Sequence, residues 1–567
     1  MKKTLSLFLA LVMVLCLAIA PALGEQSTKS AFEPFENPVK VKVVVGYSEA
    51  DIPSSGALPS QCLWNDVVKE YLNVEFDWLW EVPSTQYNTK LDLSLASGQY
   101  PDILKCDFNT YCYLKDSGML ADLTDVWNEY ASDALKETFS QYLYFNTDEN
   151  GELLAIPYAS NPASNVQCNF WRTDWLKNLG MELPTTLDEF TTVVKAFRDN
   201  DPDGNGEKDT YGLSFYSDPF GVDISMMPIF NAFGSYPNAW IEKDGKIVRG
   251  AIQPETKEAL DYLRELYSGG YIDPEFATYS QDQLKVDVAN GKIGQYGAMW
   301  YMPDYGTVID SMINDEKATW SAAAMPGKTA DAPAAMCCPE KIAGSFNVVL
   351  KTASEEAKIA MIKLLNLFYE WQFPSGTIQF AYNTLDHDTD EWKAMSARHY
   401  GWWMPVNIWH PGSNYAKVDL VDNYMATGEW DLTIYNETNQ KFWTDKLDLL
   451  KNGRAACTTD DEIKAYATAW AYAVTRFNSE YAGTCSLTIC DNLVKNGNTV
   501  ANVYYGSETD TGIAVATTLN DMVVQYICRY VMGLENEDSF DTFVENWNAM
   551  GGATWTEEVN AAYAATH

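Results

Sequence analysis

The segment Val39-Lys40-Val41-Lys42-Val43-Val44-Val45 alternates and then turns continuously apolar, as a strand buried on both faces does. Gly46-Tyr47-Ser48 ends it in a loop. A helical stretch near Cys62–Leu72 follows, then a second strand at Val74-Glu75-Phe76-Asp77-Trp78. Strand, helix, strand in that order requires a parallel pair joined by a right-handed crossover, so the fold class is α/β with helices packed on a sheet. The chain has 567 residues, and a single core stops growing at about 250–300. Two lobes follow from that limit. Hydrophobic residues at 47% supply enough apolar surface to fill both.

The start of the chain reads as a signal for export. Lys2 and Lys3 place positive charge ahead of an apolar run from Leu5 to Ala20, and Ala22-Leu23-Gly24 supplies small residues at the cleavage positions. Residues 1–24 are therefore read as a signal peptide and 25–37, mostly polar, as a linker. The alternative, an N-terminal membrane helix, needs a longer run. A lipid anchor is not expected at Cys16, because Leu15 precedes it where Gly or Ala is usual and the apolar run continues past it. Ten cysteines lie beyond residue 24. Cys485 and Cys490 bracket four residues and either close a short disulfide loop or remain buried thiols.

Lys+Arg is 39 against Asp+Glu 78, a formal charge of −39. Such a chain repels phosphate backbones, which excludes nucleic acid as a partner, and the same repulsion predicts a soluble monomer. No HExxH, GxSxG, Walker or dinucleotide fingerprint occurs. Asp386-His387-Asp388 reads as a solvated turn rather than a metal site.

Later helices carry their own boundaries. Thr186-Leu187-Asp188-Glu189 forms a capping box ahead of the stripe Phe190, Val193, Val194 and Phe197. Pro254-Glu255 opens a helix with Leu260, Leu263 and Leu266 facing inward. The loop that follows the first of these is the sharpest local signal. Asp201, Asp203, Asn205, Glu207 and Asp209 fall at alternate positions with Gly206 sixth, which lets a chain curl around one hard cation such as Ca2+. Glu207 contributes its carbonyl. The bidentate Glu of a full calcium hand is absent, since Gly212 holds position twelve. The competing reading is a polar Asx-rich turn.

Several of the 19 tryptophans fall where loops are expected. Gly297-Ala298-Met299-Trp300-Tyr301 follows a strand, and Tyr400-Gly401-Trp402-Trp403-Met404-Pro405 is marked by Gly and Pro. Flat rings on loops suit the C–H faces of sugars, although core packing is the commoner use of an aromatic.

The run from Pro184 to the Asp201–Asp209 loop, with Lys90–Ile103, Ile156-Pro157-Tyr158, Trp171–Leu176, Asn290–Gly294 before Trp300, and Phe543–Trp547, resembles the extracellular solute-binding proteins (family 1) of bacterial ABC importers. The resemblance is to a longer subgroup that includes alginate-oligosaccharide binders, and it spans essentially the whole chain beyond residue 24. It implies a two-lobe periplasmic-binding-protein-like fold with a hinge and an interlobe cleft. Lobe 1 would be 38–155 plus 343–400, and lobe 2 would be 156–342 plus 401–567. It implies a non-enzymatic carrier that delivers an oligosaccharide to ABC importer permease subunits at the cell exterior or in the periplasm. Similar alginate binders carry calcium on the corresponding loop, so a structural Ca2+ on Asp201–Asp209 is expected. Trp300 and Trp402 or Trp403 are expected to stack on the sugar, with Tyr301, Tyr47 and Asp107 as further contacts. The alternatives are a secreted carbohydrate-active enzyme and a binder of a peptide or other small solute.

Overall fold

The computed structural model describes residues 30–566 apart from 50–51, 53–55, 57, 149, 160, 222, 329–332, 340–342, 373–403, 409–410, 412, 431–436 and 505–508. The proposed signal peptide and the Asp386–Asp388 turn lie outside the described residues. Described strands in the first half of the chain are β1 (Val39–Tyr47), β2 (Val74–Pro83), β3 (Ile103–Cys106), β4 (Ile156–Ala159), β5 (Gln167–Arg172), β6 (Trp240–Lys243) and β7 (Lys246–Arg249). They continue with β8 (Gln295–Met299), β9 (Trp320–Ala323), β10 (Met336–Pro339), β11 (Ala343–Val349) and β12 (Thr499–Asn502). The chain divides into two compact units. Unit 1 carries residues up to 160 together with Ala343–Pro411, and unit 2 carries Asn161–Ile342 together with Gly412–His567.

Unit 1 is a five-stranded sheet in the order β2-β1-β3-β11-β4. β1 pairs in parallel with β2 and β3, and β11 runs antiparallel to both β3 and β4. Alternation along the strands sends Val41, Val43, Ile103 and Val349 to one face and Val44, Leu104, Cys106, Phe346 and Val348 to the other. The helices Leu63–Leu72 and Glu355–Gln372 cover the first face through Val68, Leu72, Met361, Leu365 and Phe368. The helices Tyr87–Ala96 and Phe108–Asp116 cover the second through Leu91, Leu95, Tyr111 and Leu114.

Two boundaries differ from the sequence reading. β4 stays in unit 1 because it pairs with β11, so the chain leaves after residue 160 rather than at Ile156. Residues 404–411 also belong to unit 1, where Met404, Val406 and Ile408 are buried in its core. Residues 30–37 are not a linker. Ala31 is fully buried, Phe35 N donates to Leu72 O (3.0 Å), and Lys363 Nζ donates to Ser30 O (2.5 Å) and Glu33 O (2.6 Å).

Unit 2 is built on the antiparallel sheet β8-β5-β9. β6 and β7 form a hairpin across Asp244-Gly245, both with positive φ, which matches the tight two-residue turn. The capping box at Thr186 and Glu189 is present, and its helix, Leu187–Asp199, buries Phe190, Val193, Val194 and Phe197. The helix Pro254–Ser268 buries Leu260, Leu263 and Leu266. Trp171, Trp175, Trp320 and Trp547 are wholly enclosed, so these four tryptophans are core residues. No disulfide joins Cys485 to Cys490. Cys485 caps the helix Ser486–Lys495, and Cys490 lies inside it, with its Sγ donating to Val166 O (3.4 Å). Burial pushes the Cys485 thiol up to about 11.

Close aromatic packing around Gly294 sets a steric limit. A Cβ there would stand 2.2 Å from the Phe197 ring and 2.7 Å from Trp175. Gly294→Ala should therefore destabilise unit 2 by about 1–3 kcal/mol, the usual cost of overpacking. Chemical denaturation followed by tryptophan fluorescence checks this, and an unchanged midpoint would refute it.

Candidate functional site

Each unit carries a cluster of polar and aromatic groups beyond the end of sheet strands: after the edge strand β8 in unit 2, and after β1 and β3 of the mixed sheet in unit 1, where open α/β sheets bind ligands. In unit 2 the cluster follows β8. Tyr301 donates from its hydroxyl to Asp223 Oδ1 (2.6 Å), and Gln281 Nε2 donates to Asp223 Oδ2 (3.0 Å). The Asp223 backbone is pinned by Met299 N, which donates to its carbonyl at 2.8 Å. Burial first, and then the bond to Asp223, pushes the Tyr301 hydroxyl well above its ordinary value, so it stays a donor. Tyr301 meets Trp300 and Tyr305 edge-to-face, with ring centroids 5.5 and 5.8 Å away. Tyr305 is 48% exposed, whereas Trp300 is 7% exposed.

Trp300 is thus an internal wall rather than an open platform. The Arg476 guanidinium lies 5.3 Å from its ring centroid and 4.6 Å from that of Tyr472, and Arg476 pairs with Asp304. Ser486 Oγ donates to the Trp300 carbonyl (2.9 Å). The sequence singled out Trp300 and Tyr301 but missed Asp223, Gln281, Tyr305 and Arg476. Only Tyr305, four residues beyond Tyr301 in a Pro- and Gly-marked loop, had a local signal.

In unit 1 the cluster surrounds the ends of β1 and β3. Tyr47 closes β1 and is half-buried against the core. Asp107 caps the helix Phe108–Asp116, where its Oδ1 accepts from Thr110 N (2.8 Å) and its Oδ2 from Asn88 Nδ2 (2.8 Å). Both of its oxygens therefore already hold the protein's own donors. Tyr87 donates from its hydroxyl to Lys105 O (2.8 Å). Trp402 and Trp403 lie outside the described residues.

The Asp201–Asp209 loop belongs to unit 2. Asp201 has φ 47°, and its two oxygens accept from Asn205 N (3.1 Å) and Gly206 N (3.0 Å). Asn205 Nδ2 donates to Asp203 Oδ2 (2.8 Å) and more weakly to Asp209 Oδ1 (3.3 Å), while its Oδ1 accepts from Glu207 N (2.7 Å). Burial first, and then the neighbouring Asp201 and Asp209 carboxylates, holds the Asp203 carboxyl above its usual value. Gly212 sits where any Cβ would be 2.1 Å from Val194 O, which explains why no Glu occupies that position. Among the described residues no three acidic, His or Cys side chains are gathered as a formed metal cluster. The donor set itself is that of a hard cation: three carboxylates, an amide and a carbonyl.

Comparison with known proteins places these features in context. The model of the bacterial extracellular solute-binding protein family matches residues 63–367. Lipoprotein LipO of Bacillus subtilis (strain 168) is 31% identical over 229 residues, 40% of this chain and 44% of LipO. The polygalacturonan/rhamnogalacturonan-binding protein YtcQ of the same strain is 31% identical over 235 residues, 40% and 45% of the two chains. The fructooligosaccharide ABC transporter substrate-binding protein FusA of Streptococcus pneumoniae serotype 4 (strain ATCC BAA-334 / TIGR4) is 26% identical over 310 residues, 51% and 56%. The chain thus spans about half the length of the curated relatives it matches.

Solved structures share the fold over nearly the whole chain. An HMO-binding, ABC-transporter-associated solute-binding protein of Bifidobacterium longum infantis ATCC 15697 superposes with TM-score 0.60 at 17% identity, covering 93% of this chain and 98% of that one. An EF-hand mutant of S. pneumoniae FusA with fructo-nystose gives 0.58 at 15%, covering 93% and 99%. Alginate-binding protein AlgQ2 without calcium ion gives 0.55 at 14%, covering 93% and 98%. The family match covers more than half of the 567 residues, and the two-unit α/β fold agrees with it. This chain belongs to the bacterial extracellular solute-binding protein family.

Proposed function

We propose that the protein captures an oligosaccharide outside the cytoplasm and hands it, unaltered, to the membrane subunits of an ABC importer. The observation that carries this reading is Tyr305, a half-exposed ring braced by Tyr301, Asp223 and Gln281 in a member of a solute-binding family. An exposed ring on a rigid support covers a pyranose face without ordering a floppy side chain. The relatives named for polygalacturonan and fructooligosaccharide support a carbohydrate ligand. Trp300 then acts as the wall behind Tyr301, while Tyr47 and Asp107, with Trp402 and Trp403, are contacts assigned to unit 1. Secretion through the leader at residues 1–24 and action as a monomer complete the reading. No helix among the described residues is long and apolar enough to cross a membrane.

The Asp201–Asp209 loop is assigned a structural Ca2+, held by the side chains of Asp201, Asp203, Asn205 and Asp209 and by the carbonyl of Glu207. Carboxylates crowded beside Asp203 raise its proton affinity, and a divalent cation relieves that crowding. Relatives whose structures are described by an EF-hand and by the lack of calcium support the assignment.

Two outcomes are expected. A saccharide panel should contain a ligand that raises the melting temperature, by about 2.7 kcal/mol of added stability at a hundredfold excess over Kd. Chromatography should recover that ligand intact, and Tyr305→Ala should weaken it at least tenfold without lowering the melting temperature of the free protein. Cleavage products would replace the carrier with an enzyme, and a response to peptides alone would replace the sugar. Separately, calcium should raise and chelator lower the melting temperature, and Asp203→Ala should abolish that response. A wild-type curve indifferent to both would dispose of the cation.

A further inference from the structure

The turn from Trp300 to Thr307 carries Tyr305, and four separate parts of unit 2 hold the residues around it. The Trp300 carbonyl accepts from Ser486 Oγ (2.9 Å), and Tyr301 donates from its hydroxyl to Asp223 Oδ1 (2.6 Å). The Met302 carbonyl accepts from Thr307 Oγ1 (2.9 Å), which itself accepts from the Tyr296 hydroxyl (2.8 Å). Asp304, the residue before Tyr305, is held from the end of the helix Asp460–Thr475. There Arg476 Nη1 donates to Asp304 Oδ2 and to Thr475 Oγ1 (2.9 Å), and Thr475 Oγ1 stands 3.3 Å from Asp304 Oδ1.

The Arg476 tie differs in kind from the rest. It is a pair of opposite charges whose side chains are only 17% and 7% exposed, so each charge has lost most of its water and depends on the other. The guanidinium also lies against two rings, 4.6 Å from the Tyr472 centroid and 5.3 Å from that of Trp300. A planar fork set against two rings and bonded at its tip has little freedom to move. It fixes Asp304, and a single peptide bond joins Asp304 to Tyr305. Its charge also sits at the C-terminus of the helix, where the helix dipole favours it.

We propose that Arg476 is a positioning residue for ligand capture: through Asp304 and Trp300 it sets the direction in which the Tyr305 ring meets the sugar. This deepens the capture reading and rests on it. Arg476 itself stays off the ligand, because Asp304, Thr475 and the two rings already engage its guanidinium. A ring that is fixed before the sugar arrives need not be ordered by binding, so the tie raises affinity without adding a contact. Without it, the turn is held at Trp300 and Tyr301 and again at Thr307, but not beside Tyr305.

The test is a double-mutant cycle between Arg476 and Tyr305, read by calorimetric titration of the full-length protein with trigalacturonate, kestose and maltotriose. For whichever of these the wild type binds, Arg476→Met should weaken binding roughly three- to tenfold, as expected when the ligand must order one more side chain. Arg476→Lys, which keeps a cation beside Asp304, should recover part of that loss. In the Tyr305→Ala background Arg476→Met should cause no further loss, because the ring it positions is gone. If Arg476→Met fails to fold with Asp304 left enclosed and unpaired, the combined variant Asp304→Asn, Arg476→Met removes both charges and takes its place in the cycle. Unchanged affinity on loss of Arg476, or an equal loss with and without Tyr305, would overturn the proposal, since a tie that serves only the fold acts alike in both backgrounds. Either result would leave capture standing, because the wild type still binds. Binding of none of the three trisaccharides would remove both.

Discussion

Asn347 holds unit 1 together. Its amide is wholly buried, donates to Ile156 O (3.1 Å) and Asn407 O (2.8 Å), and accepts from Asn407 N (3.0 Å). The three stretches it joins lie far apart in the chain, and each reaches the sheet by a separate route. Backbone ladders alone do not define register, because a slip of one residue preserves the bonds while sending Phe346 and Val348 to the wrong face. A buried amide with fixed partners breaks that degeneracy, since any other register leaves its donors unmet in a dry core. β3 lies on the other side of β11, so the placement of Asp107 depends on the same residue.

Local patterns were legible and long-range ones were not. The opening strand–helix–strand unit was readable because each element carries its own period and stop signals. β1, the helix Leu63–Leu72 and the start of β2 lie where the residues indicated. The capping box at Thr186 was readable for the same reason: its partners are three residues apart. Residues 30–37 deceived because their composition is polar while their packing depends on carbonyls, which composition does not record. The boundary near Ile156 was misplaced because β4 looks like a departing strand until its antiparallel partner, almost 190 residues later, is known.

The site was half legible for a related reason. An aromatic after a strand is visible in a sequence, but which rings face solvent depends on what covers them. Trp300 is covered by Arg476 from a distant helix, whereas Tyr305 is left half bare. Asp107 shows the ambiguity of one residue type, because an acid after a strand suits a sugar hydroxyl and a helix N-terminus equally. Asp107 does serve the second use, since its Oδ1 accepts from Thr110 N. The Asp201–Asp209 loop is ambiguous in the same way. The oxygens that bind a cation are those that build an Asx turn, so turn and ion select one composition.

The charge imbalance explains how the long-range ties are made. With Lys+Arg at 39 and Asp+Glu at 78, cations are scarce, and several buried ones join distant segments. Arg172, 1% exposed, grips Asp174 at 2.6 Å and also Asp315, 143 residues away, at 2.7 Å. Arg476 reaches Asp304 across 172 residues, and Lys363 reaches Ser30 across 333. A cation enclosed by the fold loses its hydration, so each such tie is stabilising only when every partner is in place. That requirement links the ties to the correct tertiary arrangement. The surplus acids on the surface are different: water and salt screen their mutual repulsion beyond about 8–10 Å. Among the described residues the fold therefore uses several enclosed cations for contacts between remote parts of the chain, while its surplus carboxylates face water.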